Sequence, residues 1–439
     1  MNMALTFLRH YFIARHLEFN DRDELEQYQE NRVRKFLENV LPKSEFYRNY
    51  LEKYNMHEWS RFPLIDKTIM MENFDALNTV GIKKEEAFNV AIKSEEVRNF
   101  TPKINEITVG LSSGTSGNRG LFLVSDYERT AWAGSIIGKV LPSSLFFGRR
   151  HKIAFFLRAN SNLYTTLNSI KISFKFFDLL KDVDSNINEL DHFNPTILVA
   201  PPSMLRILAK AQKQHRLNIR PLKIVSVAEV LDPIDEEYIE GAFKKKVHQV
   251  YQCTEGFLGY TCTHGTIHLN EDAVVIQKEY IDRECGKFVP IITDFNRTTQ
   301  PIIRYRLNDI LTESIEPCKC GSFLTAIKSI EGRCDDVFYF KSEKDDKLIP
   351  VFPDFLRKAV ITVSPDIEEY KVVQKELDII EIIVIGRNIE RIKHLIEDNI
   401  IELLRKLGCR PAKVIFSNHI DLEKGKKLRR VERQIKMDI

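Results

Sequence analysis

Tryptophan and cysteine are scarce, at two and seven in 439 residues. Seven cysteines, an odd number spread over that length, exclude the disulfide framework of a small secreted domain. A reducing, cytoplasmic location is the expectation. Long apolar runs are lacking as well: the most apolar stretch, Leu377 to Gly386, carries Asp378 and Glu381. It falls short of the roughly 18 uncharged residues that a membrane-spanning helix needs. The N-terminal segment MNMALTFLRHYFIARHLEF is interrupted by Arg9, His10, Arg15 and His16, so it lacks the apolar centre of a signal peptide. It reads as an amphipathic helix, which leaves peripheral membrane association open. Charge of one sign is lacking too. Lys plus Arg total 65 against 62 Asp plus Glu, a net +3 that excludes a general nucleic-acid binder. No internal repeat, low-complexity tract or GxxxxGK[ST] phosphate loop occurs.

What is present is an ordinary folded composition, 43% hydrophobic and 29% charged, long enough for roughly two to three domains. Three regions differ in texture. Residues 1–105 are helical and charged, with apolar residues at three-to-four spacing through ELEQYQENRVRKFLENVL, then SEFYRNYLEKY and a Pro-led FPLIDKTIMMENF. Residues 106–332 alternate apolar strands (KIAFFLRA, TILVAPP, LKIVSVAEV, HQVYQCTEG, VPIITDF) with helical stretches, which predicts a layered α/β body. Residues 333–439 offer DDVFYF, a Pro-bounded helix near Phe352 to Val360, the strand LDIIEIIVI, a helix from about Ile389 to Leu407 and the strand AKVIFS. These predict a compact α+β unit. The fold class expected is therefore α/β: a large layered N-terminal domain with a helical N-terminal segment, followed by a small C-terminal α+β domain.

Five segments could carry chemistry. SSGTSGNRG, Ser112 to Gly120, packs three glycines and three serines and a threonine's worth of hydroxyl chemistry between two apolar segments. Backbone amides and hydroxyls of such a loop can wrap phosphates, and the same composition equally suits a polar hairpin. HQVYQCTEG ends a strand on Thr254-Glu255, where a carboxylate could hold a magnesium ion or simply face water. PIIRYRLNDI places Asp309 at the end of an apolar strand, within reach of sugar hydroxyls or in a turn. EGRCDDVFYF sits at the junction between the second and third regions, with Gly332 suited to a hinge or a turn. EKGKKLRRVER is a basic run that could present a lysine to an anionic centre or form a solvated face.

In this order the five resemble the motifs of the adenylate-forming superfamily of acyl-CoA synthetases, adenylation domains and luciferases, over essentially the whole chain. SEFYRNYL and FPLIDKTIMMENF are similar to N-terminal helices of its phenylacetate-CoA-ligase-like branch. Within that branch the chain looks most like relatives of a synthetase that adenylates a deazaflavin cofactor. The resemblance implies that Ser113, Gly114, Thr115, Ser116 and Gly117 hold the β- and γ-phosphates of ATP and that Tyr251 stacks near adenine. It implies that Thr254 and Glu255 handle phosphate and Mg2+, that Asp309 binds the ribose, and that Arg333 lies near the nucleotide. Asp335 would be the pivot of a mobile C-terminal domain, and Lys426, with Lys427 as its rival, would reach the α-phosphate and the attacking carboxylate. Two positions depart from the pattern: Asn118-Arg119-Gly120 replaces the usual terminal lysine of the phosphate loop, and Leu307-Asn308 stands where Thr-Gly is usual.

The branch also shows a Cys…Gly-x-His-x-x-Glu-Asp stretch and a Cys-x-Cys-Gly, to which CTHGTIHLNED and CKCG are similar. Cys262, His268, Cys318 and Cys320 would make a closed structural zinc site, with His268 preferred over His264; ordinary reduced cysteines are the alternative. The implied activity is ATP- and Mg2+-dependent activation of a small carboxylic acid as an acyl-adenylate, then transfer to a thiol of CoA or an acyl carrier protein. The alternatives are a nucleotidyltransferase or amide-forming ligase on the same fold, or a non-catalytic zinc-stabilised relative. TILVAPPSML, IVSVAEV and Phe257 to Tyr260 would line the acyl pocket.

Overall fold

The computed structural model describes residues 3–99, 102–112, 119–145, 150–158, 171–417 and 428–435. The chain forms two compact units, the first comprising Met1–Leu307 and Thr312–Ser329, the second Asn308–Leu311 and Ile330–Ile439.

The first unit is built on a sheet whose one half is parallel. Strands Ile172–Asp178, His151–Leu157, Ile197–Ala200, Lys223–Ser226 and Val247–Cys253 lie side by side, each pair parallel. Every residue of Ile197–Ala200 is buried, as expected of a parallel strand covered on both faces. Helices Val183–Phe193, Pro202–Lys213 and Pro233–Phe243 cover one face, against a core of Phe156, Leu198, Ile224 and Val247. Helices Met3–His16 and Asp126–Val140 cover the other, over Phe155, Val199, Val225, Val250 and Phe257. Beyond Val247–Cys253 the sheet turns antiparallel, through Gly256–Thr261 and Ile267–Leu269. A separate three-stranded sheet holds Lys103–Ile104, Ile107–Leu111 and Leu121–Ser125, all antiparallel.

The helical N-terminal region is ordered by local capping. Asp21 accepts from the Glu24 N–H at 2.8 Å to start Arg22–Val40, Ser44 caps Glu45–Tyr50 and Asp66 caps Lys67–Glu72. Helix Met3–His16 differs from the amphipathic expectation, because it carries apolar side chains on both faces. Its inner face meets Asp126–Val140 at Gly134 and Gly138, where a Cβ would lie 2.4 Å from the Phe7 carbonyl oxygen and 2.7 Å from that of Tyr11. Only glycine permits backbones that close.

The second unit is a four-stranded sheet in the order Lys413–Ser417, Ile379–Gly386, Ile367–Glu376, Val431–Arg433. Helix Ile389–Lys406 buries Ile392, Ile396, Ile400 and Leu404, one residue every four, and Pro353–Ile361 buries Leu356 and Val360.

Candidate active site and metal centre

Strand Val247–Cys253 does not run on into a helix as its parallel neighbours do. It turns back at once: Cys253 pairs with Gly256, leaving Thr254 and Glu255 as a two-residue tip. That tip lies at the carboxyl ends of the parallel strands, the end where α/β sheets bind ligands. Each oxygen of Glu255 accepts from a hydroxyl, Oε2 from Thr254 Oγ1 at 2.9 Å and Oε1 from Tyr305 Oη at 3.1 Å. Tyr305 is buried, and that burial, reinforced by Glu255, pushes its phenol well above the usual range, so it remains a donor. Tyr251 is buried in the strand leading to the tip.

Sequence reasoning missed the segment that steadies this tip. Arg297 donates to the Thr254 carbonyl at 2.9 Å and to the Leu123 carbonyl at 3.4 Å, tying the tip to the strand that follows the Gly/Ser/Thr segment. Gln300, fully buried, accepts from the Leu123 N–H at 2.9 Å. Glu128 accepts from the backbone N–H groups of Thr298 and Thr299 at 2.6 and 2.8 Å. Asp294 is buried, and desolvation, opposed by Arg297 and the Asn296 N–H and reinforced by Glu128, pushes its carboxyl up to about 6. The signal was in the sequence: DFNRTTQ is a dense polar run between two apolar strands. Ala228, just past strand Lys223–Ser226, has φ +68°, a left-handed conformation rare for a residue bearing Cβ.

Ser113, Gly114, Thr115, Ser116, Gly117, Lys426 and Lys427 lie outside the described residues. The base of the candidate phosphate loop is described: Ser112 N–H donates to the Gly120 carbonyl at 2.8 Å and Gly120 N–H to Ser112 Oγ at 2.7 Å. Arg119, within the Asn118-Arg119-Gly120 departure, is paired with Glu95 at 2.6 Å.

Asp309, Arg333 and Asp335 belong to the second unit. PIIRYRLNDI is not one strand, as the sequence suggested. Strands Ile302–Arg306 and Asp309–Glu313 are separate, so Asp309 begins a strand instead of ending one. The Leu307 N–H still follows the register of the preceding strand, donating to the Pro290 carbonyl at 3.0 Å, whereas the Asn308 carbonyl accepts from the distant Cys334 N–H at 2.9 Å. Asn308, the second departure from the family pattern, donates through Nδ2 to Asp335 Oδ2 at 2.6 Å. The unusual residue thus holds the expected pivot. Asp336 beside it pairs with Arg429, and Arg433 donates to the Asp335 carbonyl at 3.3 Å. Gly332, preceding Arg333, has φ +144°.

Cys262, His268, Cys318 and Cys320 present donor atoms that all lie within 4.8 Å of one another; His264 is not among them. A tetrahedral zinc with bonds of about 2.3 Å to sulfur puts two sulfurs about 3.8 Å apart. Cys262 Sγ and Cys318 Sγ are 3.7 Å apart, and Cys320 Sγ is 3.3 Å from His268 Nε2. His268 Nδ1–H donates to the Leu324 carbonyl at 2.9 Å, which fixes the tautomer and turns the Nε2 lone pair toward the sulfurs. Burial pushes the Cys318 thiol up, but hydrogen bonds from Thr266 and the Cys320 N–H help to outweigh it and hold it below the usual range. Burial and the neighbouring sulfurs push Cys320 up.

No family model matches the sequence. The chain is 25% identical over 353 residues to Protein CapK of Staphylococcus aureus, covering 76% of this chain and 73% of that protein. Among solved structures it is similar to a 2-hydroxyisobutyryl-CoA ligase in the postadenylation state (TM-score 0.71, 16% identity, 95% of this chain and 91% of that one). It is also similar to the GH3.15 acyl acid amido synthetase (0.56, 12%, 90% and 86%). A third is the anthranilate CoA ligase AuaEII in complex with anthranoyl-AMP (0.51, 13%, 74% and 66%). The chain has the fold of the adenylate-forming ligases, a large mixed α/β unit with a helical N-terminal segment and a small C-terminal unit.

Proposed function

We propose that this protein is an adenylate-forming acid–thiol ligase, activating a small carboxylic acid with ATP and Mg2+ and passing the acyl group to the thiol of CoA or a carrier protein. The observation that carries this reading is the Thr254–Glu255 tip: a carboxylate oriented by two hydroxyls, at the ligand-binding end of a sheet with the adenylate-forming fold. The substrate carboxylate oxygen attacks the α-phosphorus of ATP, a new O–P bond forms, and the bond to the β-phosphate breaks with release of pyrophosphate. The thiol sulfur then attacks the acyl carbon, AMP leaves, and the thiol proton passes to solvent. Both steps gather negative charge. Glu255 would help to hold Mg2+, which offsets charge on the phosphates, with Thr254 beside it. Tyr305 and Arg297 keep that tip in place.

Lys426, or Lys427, would meet the attacking carboxylate and α-phosphate, while Ser113, Gly114, Thr115, Ser116 and Gly117 hold the leaving phosphates. Asp309 would bind the ribose, Tyr251 and Arg333 would lie near the nucleotide, and Asp335 would serve as pivot for a mobile C-terminal domain spanning about 333–439. Cys262, His268, Cys318 and Cys320 would hold a structural zinc that takes no part in the reaction. A cytoplasmic location belongs to this reading, supported by the sparse and odd cysteine count.

The test is pyrophosphate release with ATP, Mg2+ and a panel of aryl and aliphatic acids, without thiol, on wild type and on Lys426→Ala and Lys427→Ala. Acid-dependent release, reduced by orders of magnitude in one lysine variant, is expected; adding CoA should then yield a thioester by mass. Release without any acid, with AMP recovered on a hydroxyl, would replace the reading with nucleotidyl transfer, and an amide product with an amide-forming ligase. Silence across the panel with ATP bound would favour a non-catalytic relative.

A further inference from the structure

Surface helices normally keep one polar face. Helix Met3–His16 does not. Its inner face is taken up by Asp126–Val140, where Thr6 and Tyr11 are buried and Gly134 and Gly138 bring the two backbones together. Its outer face carries Leu5 (64% exposed), Phe12 (45%) and Ile13 (37%), with Arg9 and His16 exposed among them. Positions 5, 9, 12, 13 and 16 fall on one stripe at helical spacing. A helix apolar on both sides has a second surface to bury.

Charge on this stripe is of one sign. Residues 3–17 contain no Asp or Glu. On the neighbouring helix, Asp126 is held by Lys103 at 2.8 Å and by Arg129 at 3.0 Å, and Glu128 is buried against Thr298 and Thr299. His10, half-buried beside the stripe, is held down to about 4 by burial and by the positive charges of Arg9 and Arg32. Arg15 donates to the carbonyls of Gly138 and Leu141, which fixes the end of the helix to its support. The stripe is thus held rigidly outward. A second copy of the same stripe would bring positive charge against positive charge. A surface that offers negative charge over an apolar interior is complementary.

We propose that the outer face of helix Met3–His16 docks the protein reversibly onto an anionic lipid bilayer surface, with Leu5, Phe12 and Ile13 entering the acyl boundary and Arg9 and His16 meeting headgroup phosphates. This is independent of the catalytic reading. Three apolar side chains and few cations give a weak, salt-sensitive association and not an anchor.

The test is co-sedimentation of the full chain with vesicles of phosphatidylcholine alone or with phosphatidylglycerol added. Binding is expected only to the anionic vesicles and should weaken as salt is raised from about 0.05 to 0.5 M. The surface variants Leu5→Ser/Phe12→Ser and, separately, Arg9→Glu should each lower partitioning by about tenfold or more while leaving the thermal transition unchanged. Equal binding to neutral vesicles, no binding to either, or undiminished binding by both variants would overturn the proposal. So would a dimer in light scattering that is lost in Leu5→Ser/Phe12→Ser, which would make a second copy the occupant.

Discussion

Replacing Cys262 with serine should remove the metal and loosen the first unit by an amount that the chain itself sets. A metal bridging Cys262 to Cys318 closes a loop of 56 residues. The chain entropy removed from the unfolded state by such a closure is worth about 4 kcal/mol. The first unit holds about 325 residues. At about 2.1 cal/mol/K of unfolding entropy per residue, that loss lowers its Tm by about 6 °C. The assay is metal content by atomic emission together with calorimetric unfolding, on wild type with and without chelator and on Cys262→Ser. The chelated wild type and the variant should unfold at about the same lowered temperature, and His264→Ala should match untreated wild type, because His264 is not among the converging donors. Metal-free wild type, with thiols that react freely and a Tm indifferent to chelator, would refute the reasoning.

Asp294→Asn should raise stability at neutral pH and not at pH 4. Its folded carboxyl is raised from 3.8 to about 6, so the folded state is favoured while the group is protonated, and stability is lost as pH rises from about 4 through 6. The difference corresponds to about 3 kcal/mol above pH 6, read as a gap in urea midpoint that closes on acidification. Gly134→Ala forces a Cβ to within 2.4 Å of the Phe7 carbonyl oxygen and should cost about 2 kcal/mol in urea unfolding. Gly241→Ala, where a Cβ meets nothing within 4 Å, should instead stabilise slightly; equal effects at the two sites would show that the helices are not so closely packed.

Local chemistry was legible in the sequence and long-range pairing was not. Helices Pro353–Ile361 and Ile389–Lys406 announce themselves by a proline at the first turn and by isoleucines every four residues. Strand Ile367–Glu376 does not: its outward Glu368, Glu369 and Lys371 mask the inward Tyr370 and Val372, and only pairing with Ile379–Gly386 makes it a strand. The break at Asn308 has the same origin, since the bond its carbonyl makes comes from the distant Cys334. At the tip, Thr254 and Glu255 could be named from a motif. Tyr305 lies 50 residues away and shows its role only once the sheet brings its hydroxyl to Glu255.

The immediate reversal of the chain after Cys253 bears on what can approach this end of the sheet. Where a parallel strand leads into a helix, the first amides of that helix greet a ligand with partial positive charge. Here the chain supplies a carboxylate in that place and no helix start, so the local field is of the opposite sign. Under the proposed function a bare polyanion would be disfavoured there, whereas one arriving with its own divalent cation would not. In the proposed reaction the turn would therefore select the ionic form of an incoming ligand before any step of chemistry begins.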